Sequence, residues 1–174
     1  MTFSHDLMKK PRLHEKAELL RVHYYDAPPY AGKETNPIDG SVIDFSTTKT
    51  AKRCQALIDS LELQEDFAVR RGTVKFHGWR VGSAALQNLT NAPRALQAGD
   101  LVPHIEQKGV DLRIGLDIAL IASRGKANIL VIVTGDSDIV PAMKLARQEG
   151  LRVYLETMGH GVSRELKAHC DCVL

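Results

Sequence analysis

The run Ile129-Leu130-Val131-Ile132-Val133-Thr134-Gly135-Asp136-Ser137-Asp138 constrains this chain more than any other stretch. Its five consecutive apolar residues, four of them β-branched, read as a strand buried on both faces, which is the habit of parallel sheets covered by helices. The strand stops at Thr-Gly and delivers two carboxylates two residues apart. In open α/β sheets, ligands bind beyond the carboxyl ends of the strands. Two carboxylates held close repel each other, and a divalent cation between them relieves the repulsion.

The surrounding pattern extends the same fold class. Asp111 can cap a helix running to about Ser123, and Gly125 is placed to stop it. After the strand, Asp138 can cap a second helix with Pro141 in its first turn, ending at Gly150. Leu151–Leu155 is the next strand, Ser163 caps a helix over 164–169, and Cys172 opens one more strand. Helix and strand alternate throughout, so parallel βαβ units are expected.

Upstream the signals are weaker. A helix is expected from Pro11 to Leu20, a strand over 21–26 ended by Pro28-Pro29, a loop over 31–48 and an amphipathic helix over 50–63. Two strand-like runs flank Gly72, and 80–103 reads as a long connection. A length of 174 residues suits one domain, here taken as 1–174, with a helical N-terminal segment over 1–20 and a basic loop region over 67–103.

No apolar run approaches the ~18 residues needed to span a bilayer, and the first twenty residues carry no signal-peptide core. No membrane association is expected, and the expected compartment is the cytoplasm. Cys54, Cys170 and Cys172 are an odd, sparse set that suits reduced thiols. His169-Cys170-Asp171-Cys172 lacks the spaced second pair that a zinc site needs.

Net charge is only +2, but between Phe67 and Gly99 there is no acidic residue. That stretch holds Arg70, Arg71, Lys75, Arg80 and Arg94 with Phe76, His77 and Trp79. Basic residues interleaved with aromatics suit a polyanion such as nucleic acid; a solvated loop around an anchored Trp would produce the same composition.

Asp136 and Asp138 are the leading candidates for a metal or catalytic pair, although capping alone would account for Asp138. Asp111, at the start of its helix, faces the same edge of the sheet or merely caps. Asp117 lies about 120° from Asp111 around that helix, so the two cannot both point squarely at one ion. Carboxylate oxygens suit Mg²⁺ or Mn²⁺ with several waters retained, an arrangement that hydrolyses phosphodiesters. A haloacid-dehalogenase-type phosphatase would need a second D-x-D after an upstream strand, and the only one in the chain is Asp136-Ser137-Asp138.

The segment Gln107-Lys108-Gly109-Val110-Asp111-Leu112-Arg113-Ile114-Gly115-Leu116-Asp117, followed by Thr134-Gly135-Asp136-Ser137-Asp138, resembles the NYN-domain family. More narrowly it resembles the LabA-like branch of the PIN-like ribonuclease superfamily. Val22-His23-Tyr24-Tyr25-Asp26-Ala27-Pro28-Pro29, Arg147-Gln148-Glu149-Gly150 and His169-Cys170-Asp171 fit the same pattern, so the likeness covers roughly 20–174. It implies a three-layer α/β/α sandwich with a mainly parallel central sheet, and a Mg²⁺- or Mn²⁺-dependent endonuclease acting on RNA or on single-stranded DNA. Asp111, Asp136 and Asp138 match acidic metal-site positions, and Asp117 a further acidic position among the catalytic set. Arg70, Arg71, Lys75 and Arg80, with Lys108 of the K-G-V-D motif, are the expected nucleic-acid contacts. A homodimer is compatible with this reading. Members of the family open with a strand ending in Asp, in a pattern such as D-G-x-N, and this chain has none. It is expected to be either an N-terminally shortened version or a divergent member. The competing expectation is therefore a catalytically weak or inactive nucleic-acid-binding module on the same fold.

Overall fold

The structure is a computed structural model that describes residues 3–13 and 17–174. In chain order the elements are α1 (Phe3–Met8), β1 (Val22–Asp26), β2 (Lys33–Thr35), β3 (Val42–Asp44), α2 (Lys49–Glu62), β4 (Phe67–Arg71), β5 (Thr73–Val81), α3 (Ser83–Asn91), β6 (Leu101–Lys108), α4 (Val110–Ser123), β7 (Ile129–Val133), α5 (Val140–Gln148), β8 (Arg152–Glu156), α6 (Arg164–His169) and β9 (Cys172–Val173). The chain divides into two compact units. One comprises 1–24, 65–68 and 111–174; the other comprises 25–64 and 69–110.

The first unit is built on the parallel sheet β7-β8-β9. Strand periodicity sends alternate side chains to opposite faces. Ile132, Val153 and Leu155 pack with Ile118 and Ala122 of α4, Val140, Met143 and Ala146 of α5, and Leu166 of α6. On the second face Tyr154 and Cys172 pack against Leu13, with Leu7, Ala17, Ile129 and Val131 around them. Leu13, Met143, Val153, Leu155 and Leu166 are essentially inaccessible.

In the second unit, β2 and β3 form an antiparallel hairpin. β5 and β6 pair antiparallel with a register shift between Phe76 and Trp79, where Gly78 takes a φ of +94°. That left-handed backbone suits glycine and marks a bulge. Tyr30 stacks on Phe76, Phe45 meets Tyr30 edge-on, and Trp79 meets Phe76 edge-on while its indole N–H donates to the Thr35 carbonyl at 2.9 Å. Helix α2 starts at Thr48, whose hydroxyl accepts from the Ala51 amide at 3.2 Å.

Several sequence expectations need correction. Residues 11–13 form a turn, 17–21 are not helical, and 14–16 lie outside the described residues. Leu13 is buried in a cluster with Tyr154 and Cys172. The loop over 31–48 contains the β2–β3 hairpin, and the stretch 67–103 carries β4, β5 and α3. Strand β7 packs on both faces, but only Ile132 of its five residues is buried. It lies at the edge of its three-stranded sheet, and Val133 is 46% exposed.

Candidate functional site

The loop after β7 is held by a short relay of hydrogen bonds. The Asp136 amide donates to the Thr134 hydroxyl at 3.0 Å, and Asp136 Oδ1 accepts from the Asp138 amide at 3.0 Å. Asp136, not Asp138, is the cap. It starts a 3₁₀ turn over Ser137–Ile139 that leads into α5. The extra turn shifts the capping position by two residues from the one expected. Pro141 still falls at the start of α5, where its missing N–H costs nothing. Ile139 and Val140 are buried and anchor the turn, so both carboxylates sit exposed on a fixed backbone at the carboxyl end of β7.

Asp111 lies in the first turn of α4 and is exposed; the helix begins one residue earlier, at Val110, so Asp111 is not its cap. Gly109, with φ of +76°, provides the left-handed residue that precedes the helix. Asp117 is half-buried one and a half turns on, 3.7 Å from His23 Nδ1. The chain thus ties Asp117 to β1.

Among the described residues, no set of three or more His, Cys, Asp or Glu side chains is arranged to hold a metal ion. Mg²⁺ is commonly held by one or two carboxylates with water and substrate phosphate completing its shell. The hard oxygen donors of Asp136 and Asp138 fit that smaller requirement.

A further carboxylate at this edge escaped the sequence reading. Glu156 ends β8 in register with Val133 and is 4% exposed. Burial alone would raise its pKa, but the hydrogen bonds from the Lys10 ammonium and from the Met158 amide (2.7 Å) outweigh burial and hold it below the usual carboxylate range. The acid closing Arg152-Val153-Tyr154-Leu155-Glu156 was the available signal.

The cations of the second unit are not equivalent. Arg71 is engaged by Glu62 at 2.7 Å and lies 3.9 Å from Asp59. Lys108 pairs with Glu106, which also receives His104 at 3.0 Å. Arg94 makes a two-pronged contact with Asp100 at 2.6 and 2.7 Å. That contact, with the Gln97 amide, lowers the Asp100 pKa to about 2. Lys75 and Arg80 stand on the exposed side of β5.

Residues 38–174 match the family model of the NYN domain. The chain belongs to the NYN domain family. NYN domains are part of the PIN-like nuclease superfamily, whose fold is α/β, as the β7-β8-β9 sheet and its helices are here. The matched region of this NYN domain contains Asp111, Asp117, Asp136, Asp138 and all five predicted basic contacts. Comparison with curated proteins gave no match, and comparison with solved structures gave none. Among the described residues of this NYN domain, no helix is long and apolar enough to cross a membrane.

Proposed function

We propose that this NYN domain is an endonuclease acting on RNA, of the LabA-like branch, dependent on Mg²⁺ or Mn²⁺ and built on a three-layer α/β/α plan. The observation that carries this reading is the pair Asp136 and Asp138, presented on a hydrogen-bonded turn at the carboxyl end of a parallel strand in an NYN domain. Asp136 and Asp138 would hold the ion directly; Asp111 would approach it through a retained water, and Asp117, beside His23, would act from outside its shell. The ion, when bound, supplies charge neutralisation at the phosphodiester and an activated water. The Asp138 amide holds the Asp136 carboxylate through Oδ1, and the Thr134 hydroxyl holds the Asp136 backbone, so little reorganisation is needed on substrate arrival. Lys75 and Arg80 are the foremost backbone-phosphate contacts, with Arg70, Arg71 and Lys108 secondary. The thiols of Cys54, Cys170 and Cys172 are all free, in keeping with a cytoplasmic setting.

A second reading is a nucleic-acid-binding module without cleavage, favoured because no three-donor group is arranged among the described residues. One experiment separates the two. Labelled RNA is incubated with the purified chain and Mn²⁺, with EDTA, and with an Asp136→Asn variant. Cleavage that disappears with EDTA and in the variant supports the nuclease. Binding without cleavage in every lane, weakening steeply with salt, supports the module and retires the nuclease.

A further inference from the structure

A second charged feature lies in the first unit, away from the carboxylate turn. An open cavity of about 430 Å³ is lined by Lys144, Arg147 and Gln148 of α5, Gly150 and Leu151 of the following turn, Arg152 at the start of β8, and Asp171 before β9. Three of these side chains are cationic and one is anionic. Asp171 is committed on both oxygens: Oδ1 is ion-paired with Arg147 at 3.0 Å and Oδ2 accepts from the Val153 amide at 2.8 Å. It therefore orients the Arg147 guanidinium while leaving further N–H donors of that fork for a ligand. Lys144 and Arg152 are exposed and have no carboxylate partner among the described residues. The end of a helix normally opposes an anion, but here the last carbonyls are occupied. Glu149, Gly150 and Leu151 donate back to Leu145, Arg147 and Ala146 at 3.0–3.1 Å. Gly150, at φ of +90°, makes that turn and leaves open space where a side chain would stand.

The place of this cavity matters as much as its charge. β7 and β8 are parallel and in register from Ile129↔Arg152 to Val133↔Glu156. Arg152 is level with Ile129 at one end of the strands and Asp136 lies beyond Val133 at the other, so at least the five-residue length of β7, about 17 Å, lies between them. The cavity is too far to bind the reacting phosphate, but lies within the reach of a strand a few nucleotides long.

We infer that Lys144, Arg147 and Arg152 form a phosphate-docking site for a backbone segment of the RNA strand, outside the scissile position. The inference rests on the RNA reading above but not on cleavage. Its test uses fluorescence anisotropy of a short single-stranded RNA on the full chain in EDTA, so that nothing is cut. Lys144→Gln/Arg152→Gln is compared with wild type; Arg147 is left in place to keep its bond to Asp171. Loss of two phosphate contacts lowers the log–log salt slope by about 1.4 and weakens binding about 25-fold at 0.1 M salt. In amide-resolved NMR, RNA shifts the Gly150 and Leu151 signals in wild type and fails to shift them in the variant. An unchanged slope overturns the inference. So does a shift of those amides by inorganic phosphate or adenosine monophosphate while RNA leaves them unmoved, which would mark a small-anion site. Cleavage is scored separately with Asp136→Asn. An inactive wild type with a reduced slope in the double variant supports docking and retires only the nuclease; an active wild type with an unchanged slope does the reverse.

Discussion

Asp136 has two roles that substitution can separate. Its Oδ1 accepts one backbone amide, that of Asp138, and its own amide bond to Thr134 does not involve the side chain. Asn retains an acceptor of the same shape and caps about as well as Asp, so Asp136→Asn should cost at most a few tenths of a kcal/mol. Ala removes the acceptor. Cap deletions cost roughly 0.5–2 kcal/mol. Because Asp136 is exposed, water can reach the freed amide, which places the loss at the low end, about 0.5–1 kcal/mol. For a chain of this size that is a fall in Tm of about 1–4 °C. Both variants lose the charge, so both should lose cleavage by about two orders of magnitude or more, the scale for removing one preorganised charge-stabilising group. Thermal melts and Mn²⁺-dependent cleavage of labelled RNA, run side by side, give the two readouts. An Asn variant that cleaves like wild type would show that Asp136 is only a cap. An Asn variant as destabilised as Ala would refute the capping argument itself.

Met143 is fully buried between α5 and the sheet, so Met143→Ala should destabilise by about 2–5 kcal/mol in urea melts, whereas Leu57→Ala, at a half-exposed position, should stay within about 0.5 kcal/mol; equal effects would contradict the assigned core. The Asp100 pKa is depressed, chiefly by Arg94, so its contribution to stability is present above the unfolded value near 3.8 and is lost as pH falls toward about 2. Arg94→Ala should flatten the fall of Tm between those pH values, and superimposable profiles would dismiss the pair. Lys75→Gln/Arg80→Gln should weaken RNA binding evenly across sequences and reduce the salt slope by about 1.4. Arg71→Gln, already engaged by Glu62, should do less; the opposite ranking would reassign the basic surface.

Legibility in the sequence followed how local the signal was. The β7 strand and the α6 helix have the bounds expected from their residues, because an uninterrupted β-branched run and the Ser163 cap, accepting from the Leu166 amide at 3.2 Å, are local devices. β6 was hidden by Pro103, which breaks strand patterns in general; here it faces Trp79 across the bulge, where the ladder is already irregular. α3 starts at Gly82 with no side-chain cap and buries no residue, so nothing announced it. At the site, the acidic residues themselves were legible. Their surroundings were not: Glu156 and its Lys10 partner are 146 residues apart, and such pairings depend on tertiary packing that no sequence window contains.

That last pairing has a consequence for how the chain is made. Leu13 packs on Tyr154 and Cys172, and Lys10 neutralises Glu156, so the earliest described residues find their places only on the last strands. During synthesis they emerge long before those strands exist. Contacts so distant in sequence close late and slow folding. The ribosome must therefore release the chain through Cys172 before this face of the sheet can be assembled, and until then Leu13 and its neighbours are a surface for chaperones to guard.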